Sequence, residues 1–268
     1  MKLEYFDIHS HLYFKDFDKD REEVIKHMKK EKIGTICIGT DFNSSKECVE
    51  LANKHENIFA CVGQHPEELK ADSIFEEKLR KLAQDKNVVA IGECGLDYFR
   101  INPDDFELKM IQKTVFEYHV DLALDLDKPL MLHIRSSKGT QDAYLDALEI
   151  LEHHYNTSGG KLRGNAHFFA GDKEILGRLL KIGFTVSFTG VVTFTSDYDE
   201  LIKMTPSESI MTETDAPFVA PVPHRGKRSS PLHIPIILEK LAEIKGEDKE
   251  TLKKAIFNNV LRVFPGVK

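Results

Sequence analysis

The chain lacks any apolar run approaching the ~18 residues of a membrane span. Its first residues, MKLEYFDIHSHL, place Glu4 and Asp7 almost at once, so no signal peptide is expected and the cytoplasm is the expected compartment. Cysteine is sparse: Cys37, Cys48, Cys61 and Cys94 form no CxxC pair, which suits small core residues in a reducing compartment better than a disulfide scaffold. Nor is there an excess of positive charge. With 37 Lys and Arg against 44 Asp and Glu, the net charge of -7 excludes a general nucleic-acid coat. A local basic cleft or bound metal ions would have to supply positive potential. No low-complexity stretch, linker or shift in composition interrupts the sequence. At 268 residues it therefore reads as a single domain, 1–268, since α/β barrels run to about 200–250 residues as one unit.

What is present is alternation. Short β-branched or apolar runs at 4–9, 33–39, 58–63, 88–93, 130–133, 163–167, 184–188 and 209–213 read as strands. Charged segments of helical period lie between them, at 18–31, 44–55, 73–85, 105–127, 142–155, 173–182 and 198–204, and two more close the chain at 231–244 and 249–263. Ser44 with Glu47, and Ser73 with Glu76, have the spacing of capping boxes. Eight strand-helix units in one series predict a parallel sheet and, by their count, a closed (β/α)8 TIM barrel. An open doubly wound sheet is the competing reading. Against it, the first strand runs into HSHL and not into a glycine-rich phosphate turn.

Most of these strands end in a residue able to bind a metal. The first ends in DIHSH with His9 and His11, the third runs into GQHP with His65, and the fourth ends at Glu93. The fifth and sixth end at His133 and His167, and the eighth runs into ETD with Asp215. In a barrel these ends converge on one mouth, where barrel enzymes keep their sites. Residues two apart in a strand share a side, so His9 and His11 can hold one ion together. Imidazoles and carboxylates suit Zn²⁺, Mn²⁺ and similar ions. The ligands suffice for two: His9, His11 and Asp215 for one, His133 and His167 for the other, with Glu93 between them. Two divalent ions activate water and clamp both oxygens of a phosphoryl displacement.

Other polar residues invite plainer readings. His27, His55, His153 and His154 fall at polar helical positions and read as surface residues; His119, in the long fourth helix, reads as a packing residue. Asp7 shares a face with His9 and is expected to orient a histidine. Glu213 shares a face with Asp215 and could be a ligand or a supporting residue. The segment PVPHRGKRSSP after the eighth strand crowds Arg225, Lys227 and Arg228 together, a basic loop that could grip phosphates. Arg135, two residues after His133, could reach into the mouth as a phosphate contact.

DIHSH at 7–11, GQHP at 63–66, GECGLDY at 92–98, HIR at 133–135, HFFAG at 167–171, VSFTG at 186–190 and ETDAP at 213–217 follow one another in order. Over essentially its whole length the chain resembles the TatD family of metal-dependent hydrolases and deoxyribonucleases. That resemblance implies a TIM barrel of amidohydrolase type and a two-metal site of His9, His11, Glu93, His133, His167 and Asp215. It also implies nuclease activity, typically exonucleolytic on single-stranded DNA, with Mg²⁺ or Mn²⁺; Zn²⁺ also suits the donor set. His65 and Arg135 would then lie beside the scissile phosphate. Two departures stand out: His119 where the family often has Gln, and Ser229-Ser230 where Asn-Glu is common.

In this reading Glu93 and Asp215 are the catalytic carboxylates, Asp215 as general base. Arg225, Lys227 and Arg228 would hold the flanking backbone. The competing reading keeps the barrel and metals but directs the attack at a carbonyl ester or amide, as in lactonases or aminoacyl-tRNA deacylases. The expected partner is a single-stranded nucleic acid as substrate, with no membrane and no obligate protein partner, and a monomer is the default.

Overall fold

In the computed structural model, which describes residues 2–69, 76–102 and 104–267, the apolar runs become eight parallel strands. They are β1 (Tyr5–Ser10), β2 (Ile33–Ile38), β3 (Ile58–Val62), β4 (Val88–Asp97), β5 (Leu130–Arg135), β6 (Gly164–Ala166), β7 (Thr185–Phe188) and β8 (Ile210–Thr212). They pair in sequence order. The seam between β8 and β1 is stitched beyond the strands: Asp215 N donates to His9 O (2.9 Å), and His11 N donates to Ala216 O (2.7 Å). Sequential order with first and last strands adjacent is the (β/α)8 barrel, and it excludes the open sheet.

The helices are α1 (Arg21–Lys30), α2 (Phe42–Lys54), α3 (Glu76–Ala83), α4 (Phe106–Asp125), α5 (Asp142–Thr157), α6 (Lys173–Lys181), α7 (Asp199–Met204), α8 (Ile234–Lys245) and α9 (Lys249–Val263). None among the described residues is long and apolar enough to cross a membrane. Their apolar faces pack on the strands. A second cluster sets Phe6, Ile36, Phe59 and Met131 against Val260 and Phe264 at the end of α9. Complete burial of a side chain such as Phe264 contributes about 1.5–3 kcal/mol. All four cysteines are buried free thiols.

Several local expectations need correction. The capping box of α2 lies three residues earlier than Ser44 and Glu47. Extended Asp41 accepts from Ser44 N (2.7 Å), and Ser44 Oγ accepts from Asp41 N (2.9 Å). Ser73 lies outside the described residues. The segment from Pro231 starts as a short 3-10 turn, Pro231–His233, before α8 begins with Pro235 in its first turn, where a missing N–H costs nothing. Strand β6 ends at Ala166 and β8 at Thr212, so His167 and Asp215 stand just past their strands.

Strand β4 does not stop at Glu93 but runs on to Asp97. Gly92 and Gly95 permit this. Both have positive φ (144° and 140°), and a Cβ would sit 2.3 Å from Met131 O at the first and 2.0 Å from His133 O at the second. The GECG segment is therefore the close approach of β4 to β5. It carries Glu93 and Asp97 into the mouth beside His133.

Candidate active site

The two β1 histidines are set by their backbone neighbours. His11 Nδ1 donates to Ile38 O (2.9 Å), which fixes the tautomer and leaves Nε2 as an acceptor. That Nε2 stands 3.3 Å from His9 Nε2. The His9 ring is fully buried and stacks on His167, with centroids 3.8 Å apart and planes 12° apart. Glu213 lies behind both rings: its Oε2 is 3.6 Å from His167 Nδ1 and 4.0 Å from His9 Nδ1. Its Oε1 accepts from Phe168 N (2.5 Å). Neither approach of Oε2 is within hydrogen-bond distance, and Oε2 and the two Nδ1 atoms are buried without a hydrogen-bond partner among the described residues. Glu213 therefore faces both rings from behind without bonding either, while their Nε2 atoms face the mouth.

Asp7, by contrast, touches no ring. It accepts from His9 N (3.1 Å), Thr214 N (2.9 Å) and Thr214 Oγ1 (2.5 Å). It orients His9 through the backbone and fastens the β8 turn to β1. Burial raises its carboxyl to about 8, against the lowering effect of those hydrogen bonds.

Glu93 occupies the centre, and its two oxygens face different partners. Oε2 is 3.5 Å from His9 Nε2 and 3.9 Å from His11 Nε2. Oε1 is 2.9 Å from His167 Nε2, 3.0 Å from His133 Nδ1 and 3.7 Å from His65 Nε2. Asp215 Oδ1 is 3.5 Å from His11 Nε2 and 3.8 Å from His9 Nε2. Three groups of donors, His9-His11-Glu93, His9-His167-Asp215 and His65-Glu93-His133, each lie close enough to surround one cation. Facing imidazole nitrogens, with their far sides given to a carbonyl or carboxylates, fit a divalent metal.

The electrostatics agree. Burial alone would raise Glu93 and Asp215. Surrounding imidazoles, His167 and His9 foremost for Glu93 and the His11 hydrogen bond for Asp215, hold both carboxyls below their ordinary values. Burial, with His133 beside it, pushes His65 down to about 3, so its imidazole is neutral. The backbone is strained at two of these corners: Asp215 and Phe168, neither a glycine, have φ of 50° and 44°.

Sequence reasoning missed Asp97. Its Oδ2 is 2.9 Å from His133 Nε2. The four-residue spacing from Glu93 was the available signal, hidden by ending the strand at Glu93. It also missed the support of the GQHP loop. His119 Nδ1 donates to Val115 O (2.7 Å), and its Nε2 accepts from Gln64 N (3.0 Å). His119 thus packs as expected, and in doing so fastens the residue before His65. His55 and His154 are half-buried, facing Glu22 (3.5 Å) and Asp121 (3.4 Å); His27 and His153 are exposed.

A cavity of about 570 Å³ opens over this cluster, lined by His11, His65, His133, His167, Arg135 and Phe218 among others. The Arg135 guanidinium lies 3.8 Å from the centre of the Phe99 ring. The basic loop does not line the cavity. Arg228 is held by Asp20 through both terminal guanidinium nitrogens (2.7 and 2.6 Å). Arg225 lies over the Phe194 ring at 4.0 Å, and Lys227 is exposed.

Residues 6–265 match the family model described as TatD related DNase. The chain is 35% identical over 265 residues to the uncharacterized metal-dependent hydrolase YabD of Bacillus subtilis (strain 168), covering 97% of this chain and 98% of that protein. It is 30% identical over 268 residues to the 3'-5' ssDNA/RNA exonuclease TatD of Escherichia coli (strain K12), covering 97% and 98%. The crystal structure of YJJV, a TatD homologue from Escherichia coli K12, superposes with a TM-score of 0.85 at 24% identity over 99% of both chains.

Proposed function

The chain belongs to the TatD-related DNase family, as a metal-dependent hydrolase acting on ester bonds, and from that premise we propose that it cleaves phosphodiester bonds of single-stranded nucleic acid from one end. The observation that carries this reading is the division of Glu93 between two donor sets. Its Oε2 faces His9 and His11, and its Oε1 faces His133 and His167. We assign His9, His11 and Asp215 to one divalent ion and His133 and His167 to a second, with Glu93 shared. Bound divalent ions supply Lewis acidity for a phosphate and lower the pKa of water. Mg²⁺, Mn²⁺ and Zn²⁺ all suit these donors.

The chain's own groups have separate tasks. Asp215, ionised at neutral pH, takes the proton of the attacking water. His65, neutral and fixed by accepting from Glu67 N (3.1 Å), orients the phosphate from one side. Arg135 reaches it from the rim, and its guanidinium suits phosphate oxygens bidentately. The new bond joins the water oxygen to phosphorus as the bond to the departing nucleoside oxygen breaks. Arg225 and Lys227 extend the grip to the flanking backbone, while Arg228 braces their loop through Asp20. The 30% identity to a protein named an ssDNA/RNA exonuclease supports this substrate class.

The test is a single-stranded oligonucleotide labelled at either end, with EDTA, Mg²⁺, Mn²⁺ and Zn²⁺ in turn, beside Asp215→Ala. The expected result is a metal-dependent ladder that the variant lacks. No cleavage by metal-loaded protein would overturn the nuclease reading in favour of carbonyl ester or amide hydrolysis.

A further inference from the structure

Phe218 is a large apolar residue left half-exposed (49%) in the wall of the catalytic cavity. Leaving a phenylalanine in water forgoes much of the stabilisation its burial would give. Its segment is not loose. Phe218 N donates to Asp215 O (2.8 Å), Ser229 N donates to Pro217 O (2.9 Å), and Val222 N donates to Thr193 Oγ1 (2.9 Å). Gly190 packs so closely under the next residue that a Cβ would lie 2.4 Å from Val219 O, and Val219 itself has φ 48°. The exposure is therefore built into a braced turn.

The ring plane is fixed as well. Phe218 meets Phe14 edge to face, with centroids 5.7 Å apart and planes at 88°. It meets His11 at 6.2 Å and 69°. His11 is one of the proposed metal ligands. A phosphate drawn to the donors around Glu93 thus brings its own nucleoside to this ring. Every base has a π-face, and aromatic platforms beside a charged track are how single strands are held without sequence preference.

We propose that Phe218 is the stacking surface for the nucleobase next to the scissile phosphate, an assignment that rests on the nuclease reading above. The ring grips a flat, unpaired base and discriminates little among the four.

The test is a cycle between protein and substrate. Wild type, Phe218→Leu and Phe218→Trp are assayed with Mn²⁺ on an end-labelled single strand, and on the same strand with an abasic tetrahydrofuran residue at the cleaved terminus. Phe218→Leu is expected to lower kcat/KM on the natural strand by about tenfold, mainly through KM, and Phe218→Trp to restore it. Removing the base should cost wild type a similar factor. The two losses should not add: Phe218→Leu on the abasic strand should lose no more than the larger single change. Additive losses, or Phe218→Leu at wild-type kcat/KM, would overturn the assignment. If the Leu variant unfolds, Phe218→Trp against wild type decides: the larger ring should match or exceed wild type on the natural strand and show no gain over it on the abasic one. A Trp variant that loses as much on the natural strand as wild type loses on the abasic one would overturn the assignment. Failure of wild type to release nucleotides from any strand would overturn the nuclease reading and this one with it. Cleavage with additive losses would overturn this one alone.

Discussion

Asp97 Oδ2 lies 2.9 Å from His133 Nε2, while Glu93 Oε1 lies 3.0 Å from Nδ1 of the same ring. Both carboxylates accept from this ring as it stands; Asp97 holds the Nε2–H, so an ion seated between Nδ1 and Glu93 would meet the Nδ1 lone pair. Asp97→Asn keeps the shape and removes the charge. Supporting partners of metal-bound histidines are typically worth ~10–100-fold in affinity or activity. Calorimetric titration with Mn²⁺ should show a loss in that range. An unchanged Kd would show that the contact with Asp97 is packing only.

Glu213 Oε2 faces two rings at once, 4.0 Å from His9 Nδ1 and 3.6 Å from His167 Nδ1, and a metal that fixes the two Nε2 atoms would draw both Nδ1–H groups toward it. Glu213→Gln should therefore weaken metal binding by at least as much as Asp97→Asn. Glu213→Ala should in addition lower the thermal midpoint, because it removes the acceptor of Phe168 N, where the backbone is strained. Parallel titrations of Glu213→Gln and Asp97→Asn, and a melt of Glu213→Ala, check both parts. A smaller metal defect than in Asp97→Asn would contradict this assignment.

Metal removal should register as stability. His133 Nδ1 and His167 Nε2 share Glu93 Oε1, but His9 Nε2 and His11 Nε2 stand 3.3 Å apart with the nearest Glu93 and Asp215 oxygens 3.5 Å away, a crowding that a cation between the rings would relieve. Adding Mn²⁺ to EDTA-stripped protein should raise the unfolding midpoint, the stability gain being about 2.7 kcal/mol per site at a hundredfold excess over Kd. Glu93→Ala should abolish both this gain and turnover while leaving the far-ultraviolet circular dichroism intact; so should Asp215→Ala for turnover. Retained activity in either variant would refute their placing in the chemistry.

The candidate ligands were legible as a cluster because each sits at or just past the end of a strand, and a barrel sends all such ends to one mouth. His9, His11, Glu93, His133, His167 and Asp215 come together as the strand count requires. What escaped notice depended on three dimensions. Asp97 was hidden because two glycines that look like breakers instead let β4 approach β5 and continue. Asp7 and Glu213 share strand faces with ligands, but spacing cannot tell a carboxylate that meets backbone amides from one that meets imidazoles. The charge run at 225–228 gave no hint that Arg228 is engaged by Asp20, 208 residues away in the chain.

His119 offers a test whose sign can be worked out. It is buried, and its neutral ring spans Val115 O and Gln64 N. Burial lowers its pKa to about 4 in the fold, despite the hydrogen bond to Val115, against about 6.5 in an unfolded chain. As pH falls through 6.5 the unfolded chain takes up a proton that the folded ring refuses. Stability present above pH 6.5 is therefore lost on acidification, by about 1.4 kcal/mol per pH unit, until the folded ring protonates near pH 4. The whole window is worth about 3 kcal/mol. His119→Gln removes the titration and can keep both hydrogen bonds, one from its amide N–H and one to its carbonyl. Urea unfolding in EDTA, at intervals from pH 7 to pH 4, should show the variant gaining on wild type at each step down. Parallel curves for the two proteins would mean that the ring is protonated in the fold, and the tautomer that holds the GQHP loop would have to be reassigned.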